Sequence, residues 1–330
     1  MKKLTVLIPT YNRKEYLKNL LENLSSQGHY DEYNIVISDN HSDYDLMGMI
    51  NESFSKDFIE IISYHKWNYN VGMMTNISLP FSFVETEWCL FLSDDDKIRP
   101  NTLEVVLRDL NEEGSKELAA IKYSLAKYRN SSFIHKDCIL RTTKEWAEYY
   151  LKFQPGSDDR IYMSMLYNMR LLNPYLMSLT RYSYSGAPFL IPIINALAEG
   201  KGYLRLSSEG LYEYNINTTD SWYSNSKRFL DTLLGIRTMF DSFHGMDFKS
   251  YKLFKKMILS ENFRCKTIVH AIANQNGFII RRHYYKLLRD YMVGNLWQQI
   301  MYRSIFWIIL LLNISPSKLK MIVKRIRGVK

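Results

Sequence analysis

The chain has 330 residues, of which 46% are hydrophobic and 23% are charged, as in an ordinary globular protein. Its three cysteines show no CxxC spacing, which argues against a disulfide scaffold or a zinc site and for a reducing compartment. The net charge is +9, yet seven of these nine charges follow Asp290, beyond which there is no acidic residue. A basic tail on a nearly neutral body favours a membrane surface or a tail-bound partner over a nucleic-acid groove.

Strands and helices alternate through the first 125 residues. The apolar segment of 1–9 is too short for a secretion signal and predicts a first strand. Buried apolar runs predict strands over 4–8, 34–38, 59–64, 88–92 and 118–123. Apolar residues at helical spacing predict helices over 14–26, 46–54, 73–83 and 103–110. This alternation predicts an α/β fold with a mostly parallel central sheet flanked by helices.

The pattern is looser beyond residue 125. It predicts a helix over 144–153, a glycine-containing loop over 154–159, a strand over 161–167 and a helix over 187–198. Residues 225–312 have a helical pattern almost throughout. We therefore expect a main domain over 1–215, with parts 1–125 and 126–215, followed by a helical C-terminal region over 216–330.

The acidic triplet Asp94, Asp95 and Asp96 directly follows the buried strand predicted over 88–92. Open α/β sheets bind their ligands at the carboxyl ends of their strands. Three adjacent carboxylates repel one another, so a fold that keeps them together usually supplies a cation. Oxygen ligands favour Mg²⁺ or Mn²⁺, and these ions commonly hold a diphosphate. The alternative is a solvated acidic turn that precedes the next helix.

Three further polar motifs lie at predicted strand ends. They are PTYNR over 9–13, SDNHSD over 38–43, and NVG over 70–72 with Asn76. The carboxyl ends of parallel strands meet at one edge of a sheet, so these loops are expected to converge on one cleft.

Together these motifs resemble glycosyltransferase family 2, of the bacterial surface-polysaccharide type, with the GT-A nucleotide-sugar-binding fold. The matching segments are VLIPTYNR over 6–13, ISDNHSD over 37–43, NVGMMTN over 70–76 and FLSDDD over 91–96. Each segment alone is weak evidence for the family, but all four occur in the family's order and at separations that fit it. The resemblance covers about 1–125, is faint to about 215 and is absent beyond.

The resemblance implies a nucleotide-sugar site and a metal. Asp39 would accept a hydrogen bond from the base, with a mild preference for uridine, and Asp94 or Asp95 would contact the ribose. Asp96, with Asp94, would hold Mn²⁺ or Mg²⁺ on the diphosphate. Other readings are a turn role for Asp39 and a surface charge for Arg13. The full set of expected donor-binding residues is Pro9, Thr10, Tyr11, Arg13, Asp39, Asn70, Gly72, Asn76, Asp94 and Asp95.

Inverting transfer also requires a general base for the acceptor hydroxyl. Many family members carry an acidic pair at the start of a helix, but the corresponding helix here, 187–198, begins without a carboxylate. Asp158 or Asp159 is the predicted substitute, with a solvated acidic turn as the alternative. Weaker candidates are Glu199, Glu209 and Asp220.

The expected function is inverting, metal-dependent transfer of a sugar from a nucleotide-diphospho-sugar, such as a UDP-sugar, to a lipid-linked saccharide in surface polysaccharide synthesis. The alternative is a catalytically weak or inactive nucleotide-binding scaffold of the same fold, recruited to the membrane. The apolar run 305–312 and the basic amphipathic segment 315–330 predict peripheral attachment at the inner face of the cell membrane. Packing of 305–312 on the body is the competing reading. A GxGxxG dehydrogenase motif and a nucleotidyltransferase glycine loop are both absent.

Overall fold

The computed structural model describes residues 2–128, 131–153, 165–185, 187–214, 226–262, 265–275, 277–292 and 296–311. Asp158, Asp159, Asp220 and the basic segment 312–330 lie outside the described residues.

Four parallel strands form the first half of the central sheet. In the order β3-β2-β1-β4, they are β1 (Leu4–Thr10), β2 (Tyr33–Asp39), β3 (Ile62–Lys66) and β4 (Trp88–Phe91). The helices between and after them are α1 (Lys14–Ser26), α2 (Leu46–Ser53), α3 (Lys56–Ile59), α4 (Met73–Ser78) and α5 (Thr102–Asn111). All four strand ends therefore point to one edge, as the sequence predicts.

Two predicted elements of this half differ from those observed. The strand predicted over 59–64 starts at Ile62, because Ile59 belongs to α3, whose first turn is capped by the Ser55 hydroxyl. The helix predicted over 73–83 is α helical only to Ser78 and continues as a 3-10 helix over Leu79–Phe83. Pro80 lacks the backbone N–H that a continuing α-helix uses.

The second half of the sheet is mixed. Its strands are β5 (Lys97–Ile98), β6 (Leu118–Tyr128), β7 (Ser131–Phe133), β8 (Cys138–Leu140), β9 (Leu166–Asn168) and β10 (Tyr203–Tyr214). Strand β9 lies antiparallel between β4 and β6, and β10 runs parallel to β6. The long strand β10 has no counterpart among the predicted elements. It was missed because the segment SSEG over 207–210 interrupts its apolar pattern, at the point where the pairing with β6 is irregular.

The remaining helices are α6 (Thr143–Phe153), α7 (Met169–Leu172), α8 (Leu176–Arg181), α9 (Ile191–Ala198), α10 (Ser226–Met239), α11 (Phe248–Asn262), α12 (Cys265–Ala273), α13 (Phe278–Leu288) and α14 (Leu296–Leu311). Short 3-10 helices cover Ser115–Glu117, Asn173–Tyr175, Ser183–Ser185, Pro188–Leu190, Phe240–Ser242 and Arg289–Tyr291. Among the described residues, no helix is both long enough and apolar enough to cross a membrane.

Two hydrophobic cores pack the sheet. One core joins alternate residues of the parallel strands to the apolar stripe of α1, including Leu17, Leu21 and Leu24. The other core lies against the opposite residues and includes helix α9 together with side chains of the helices after residue 225, such as Phe254 and Phe306. The helical region therefore shares a core with the sheet and braces it from one side.

Candidate active site

The carboxyl ends of β1, β2 and β4 meet through direct hydrogen bonds. Thr10 pairs with Asp39 in the register of β1 and β2. The backbone N–H of Asn40 donates to the carbonyl of Thr10 over 2.9 Å. The Thr10 hydroxyl donates to Oδ2 of Asp94 over 2.7 Å. Three of the four sequence motifs are thus joined at one point of the sheet edge.

Arg13 neutralises two acids of the triplet. One guanidinium nitrogen lies 2.9 Å from Oδ1 of Asp94 and 3.0 Å from Oδ2 of Asp95. Asp94 is buried, and this burial raises its pKa to about 6. The nearby charge of Asp95 raises it further, whereas Arg13 and the Thr10 hydroxyl act in the opposite direction. Arg13 is therefore part of the carboxylate cluster and is not an isolated surface charge.

The triplet itself is a tight turn held by Ser93. The Ser93 hydroxyl donates to Asp95 over 2.6 Å, and the Ser93 N–H donates to Oδ2 of Asp96 over 3.0 Å. The N–H of Asp96 returns a bond to the Ser93 carbonyl over 3.1 Å. In this turn, Asp94 contacts Thr10 and Arg13, and the Asp96 carboxylate is held by the backbone N–H of Ser93.

The carboxylates fit a divalent ion that arrives with a nucleotide. Among the described side chains, no group of three or more His, Cys, Asp or Glu residues is arranged to hold a metal by itself. Mg²⁺ bound to a nucleotide usually takes one or two carboxylates, with phosphate and water oxygens completing its shell. Asp96 and Asp94 supply hard oxygen atoms of this kind shortly after β4, and both side chains are buried.

Asp39 is fully buried and holds two partners. Its Oδ1 accepts the N–H of Ser42 over 2.9 Å, which closes the turn after β2. Its Oδ2 accepts the hydroxyl of Tyr64, on the neighbouring strand β3, over 2.8 Å. Burial and this carboxylate raise the pKa of Tyr64, so the phenol stays protonated and keeps donating. Asp39 thus has both the turn role and a free lone pair on each oxygen for a further donor.

The loop after β3 is tied to the loop after β2 by asparagines. The Asn40 amide donates to the side-chain oxygen of Asn70 over 2.9 Å, and that oxygen also accepts the N–H of Gly72. The N–H of Val71 donates back to Asn40. Gly72 has φ of +86° and ψ of 151°, which is a conformation available essentially to glycine alone. This explains why the motif requires glycine directly before α4.

Asn76 is buried, and its side chain forms hydrogen bonds with other residues of the protein. Its oxygen accepts the Ser38 hydroxyl over 2.7 Å and the Trp67 indole N–H over 2.9 Å. Its amide donates to the carbonyls of Thr10 and Ser38. The described role of Asn76 is therefore to hold the ends of β1 and β2 in place, so its support for a donor site is indirect.

Two other expected donor residues lie at the surface of this edge. Tyr11 follows β1 and is 43% exposed, so its ring is free to stack on a ligand. Pro9 is partly exposed within β1. The sequence pattern does not indicate the roles of Tyr64 and Ser93. For Ser93, its place before three acids was the available signal, whereas Tyr64 depends on a neighbouring strand.

The start of α9 carries no acid, as the sequence indicates. The turn Pro188–Leu190 and most of α9 are buried and apolar. Glu199, at the other end, accepts the Tyr175 hydroxyl and pairs with Lys201, and these bonds lower its pKa. Glu209, on β10, lies 3.7 Å from Arg108. The predicted base, Asp158 or Asp159, stays a prediction, because both lie outside the described residues.

Comparison with known proteins agrees with this geometry. The family model for glycosyl transferase family 2 matches residues 5–172, which is about half of the chain. The chain belongs to glycosyl transferase family 2. The matched range includes all four strand-end motifs and extends through β9.

Two bacterial relatives are glycosyltransferases. The abequosyltransferase RfbV of Salmonella typhimurium is 30% identical over 52% of this chain and 50% of its own length. The GalNAc(5)-diNAcBac-PP-undecaprenol beta-1,3-glucosyltransferase of Campylobacter jejuni is 28% identical over 34% of this chain and 36% of its own length. The chain thus spans half or less of the length of these relatives. Membership of this family agrees with the expected reaction class, that of a glycosyltransferase.

Solved structures share the fold. TarS 1–349 of S. aureus, in complex with UDP-GlcNAc, has a TM-score of 0.62 at 13% identity, covering 88% of this chain and 80% of the 1–349 chain. The mannosyltransferase PcManGT of Pyrobaculum calidifontis, in complex with GDP-Man and Mn²⁺, has a TM-score of 0.55 at 12% identity, covering 94% of this chain and 87% of its own. The expected GT-A fold is confirmed.

Proposed function

We propose that this glycosyltransferase is an inverting, metal-dependent enzyme. It moves a sugar from a nucleotide-diphospho-sugar, preferably a UDP-sugar, to a lipid-linked saccharide during surface polysaccharide synthesis. The observation that carries the proposal is the bonded cluster of Thr10, Arg13, Asp94 and Asp95, beside Asp39, at the carboxyl edge of a GT-A sheet. Within this one group of strand ends, Asp94 and Asp96 are the proposed metal ligands, and Asp39 is the proposed hydrogen-bond acceptor for the nucleobase.

Each proposed donor contact has a physical reason. Tyr11 stacks on the base, and Asp39 accepts the ring N–H that uracil offers, with Tyr64 orienting the carboxylate. Asp95 reaches the ribose hydroxyls from its fixed place beside Arg13. Asp96 and Asp94 hold the divalent ion, which supplies Lewis-acid neutralisation of charge on the departing diphosphate.

The proposed chemical step is one displacement. An acceptor hydroxyl oxygen forms the bond to the anomeric carbon while the bond from that carbon to the diphosphate oxygen breaks on the opposite face. The hydroxyl proton passes to a carboxylate, for which Asp158 or Asp159 is proposed. This assignment is supported by the absence of any acid at the start of α9.

The proposed acceptor and location rest on the relatives and on charge. The name of the C. jejuni relative includes PP-undecaprenol, a lipid carrier. Residues 312–330 of this chain carry six lysines and arginines and no acid. We therefore place the enzyme at the inner face of the cell membrane, with this basic segment on anionic lipid.

Thermal unfolding with a panel of nucleoside diphosphates and nucleotide sugars, with and without Mn²⁺, tests the donor half of the proposal. A ligand at 100 times its Kd stabilises the folded protein by about 2.7 kcal/mol. Asp96→Asn should remove the metal-dependent part of the shift. Asp57→Asn, on the exposed surface of α3, is the control and should keep it. If no nucleotide shifts the wild-type transition, the donor site is wrong.

The second candidate is a nucleotide-binding scaffold without turnover, which the apolar start of α9 favours. The enzyme and the scaffold are distinguished by the release of nucleoside diphosphate. An enzyme releases nucleoside diphosphate from its donor when acceptor is present, whereas a scaffold shows the thermal shift without that release.

A further inference from the structure

Helix α14 is apolar on both of its faces. Its inner face packs on the body through Phe306, Ile309 and Leu310, all of which are buried. The ring of Phe306 stacks on Tyr285 of α13 at 3.9 Å. The only charged residue in its 16 positions is Arg303. Packing on the body, one of the two readings of the run 305–312, therefore holds for one side of the helix only.

The outer face exposes large apolar side chains. Trp297 is 80% exposed and Leu311 is 75% exposed. Positions 297, 300, 301, 304, 307, 308 and 311 recur at three- and four-residue steps, so they form one stripe along the helix. All of them except Ser304 are apolar: Trp297, Ile300, Met301, Trp307, Ile308 and Leu311.

Over residues 305–311 the helix is apolar at every position, and such a segment requires an apolar environment on both sides. The body supplies this environment on one side only, and a contiguous exposed apolar stripe marks an interaction surface. Because the inner face is packed, the axis of α14 runs along the surface of the body, and a partner meets the outer face from the side.

Charge identifies the partner. The residues that directly follow α14 in the chain carry Lys318, Lys320, Lys324, Arg325, Arg327 and Lys330 without any acid. Such a run is attracted to an anionic lipid surface, and it repels a second copy of itself. The two tryptophans suit the same partner, because an indole has an apolar body and a polar N–H for the headgroup region.

We propose that the outer face of α14 is a membrane-docking surface that inserts its apolar stripe into the headgroup boundary of an anionic bilayer. Its basic continuation adds long-range attraction. This deepens the proposed function, on which it rests for the lipid-linked acceptor: the surface brings the enzyme to the layer in which that acceptor resides.

Co-sedimentation of the full chain with vesicles of phosphatidylglycerol and phosphatidylcholine tests the surface. The variant Trp297→Ser with Ile308→Ser should lower the vesicle partition coefficient by about tenfold or more, because two large side chains no longer leave water. The control, Phe248→Ser, changes a side chain that is 82% exposed on α11 and should bind as the wild type. Brominated lipid should quench tryptophan fluorescence of the wild type and of the control, and quench the double variant less.

Three outcomes would overturn the proposal. In the first, the double variant binds vesicles as the wild type does, and in the second, the wild type does not bind at all. The third is a wild-type dimer in light scattering that the double variant loses, without vesicle binding, since the face would then join two copies. The nucleotide thermal shift of the double variant should be unchanged, so failure here is distinguishable from failure of the donor site.

Discussion

The carboxyl edge of the parallel strands and the start of helix α9 are built in opposite ways. At the strand edge, Thr10, Arg13 and Asp94 are joined by direct side-chain contacts between motifs that are far apart in the chain. The N–H of Asn40, directly after Asp39, donates to the carbonyl of Thr10. At the start of α9, the turn and helix are buried and apolar. The proposed donor contacts therefore lie among polar residues of the described structure, whereas the proposed general base does not lie at the start of α9.

The largest expected effect tests where the acceptor is activated. Replacing both Asp158 and Asp159 by alanine should lower turnover by about 10²–10⁴-fold, because a positioned general base contributes this much. The donor thermal shift should stay, since the proposed donor contacts include neither residue. Steady-state kinetics with and without the substitution measure this. Asp31→Ala with Glu32→Ala, another adjacent acidic pair, is the control. Wild-type turnover in the double variant would remove both residues from the mechanism.

The next effect concerns the buried charge at the strand edge. Asp94 has an ordinary pKa of 3.8 and a pKa of about 6 in the folded protein, chiefly because it is buried. Between these values the folded state binds more protons than the unfolded chain, so the free energy of unfolding falls as pH rises. The loss begins above pH 3.8 and is complete above pH 6. Its size is about 3 kcal/mol, from 1.36 kcal/mol per pKa unit.

Urea unfolding of the metal-free protein between pH 4 and 7 measures that loss. Asp94→Asn should remove its part of the slope, because the amide does not titrate. Asp57→Asn should keep the wild-type slope, since that carboxylate is exposed on α3. An identical pH dependence in Asp94→Asn and wild type would show that Asp94 is ionised at no extra cost in the folded state.

A third prediction compares two buried asparagines, one in each region. Asn76→Ala leaves the partners of four hydrogen bonds without their amide, and it should lower the free energy of unfolding by about 2 kcal/mol. It should also weaken nucleotide binding, because it loosens the ends of β1 and β2. Asn195→Ala on α9 removes bonds to Ser242 and His244 and should lower stability alone. If Asn76→Ala bound nucleotide as tightly as Asn195→Ala does, Asn76 would have no role in the donor site.

Most of the carboxyl edge of the parallel strands was predictable from the sequence, because each of its motifs is a short continuous segment. The helix predicted over 14–26 matches α1 at both ends, since Leu17, Leu20, Leu21 and Leu24 define one apolar stripe. Three of the four strand-end motifs follow directly on an apolar run, and the NVG motif lies a few residues beyond β3, so the edge was visible without tertiary information. The predicted roles of the individual donor residues stay predictions.

The parts that were missed depend on distant partners. Strand β10 is specified by pairing with β6, about 85 residues earlier, and its polar centre hides the pattern. Arg13 alone resembles a surface charge, and only the fold brings it beside Asp94. Only Trp307, Ile308 and Leu311 of the outer face of α14 lay in the predicted apolar run 305–312. The sequence does not show which side of a helix meets the body, so the rest of this face was missed.

The smallest expected effect sharpens the role of the strand edge in base recognition. Tyr64→Phe removes the hydroxyl that donates to Asp39, and a net hydrogen bond contributes about 1 kcal/mol, or about fivefold in affinity. If Asp39 reads the base, its less well oriented carboxylate should narrow the difference in Kd between UDP and other nucleoside diphosphates. Calorimetric titration measures these values. Tyr30→Phe loses a comparable bond to the Ser25 carbonyl, away from the strand ends, and should leave the Kd ratio unchanged. A ratio unchanged in Tyr64→Phe as well would confine Asp39 to its bond with Ser42 and leave base selection to the stacking face of Tyr11.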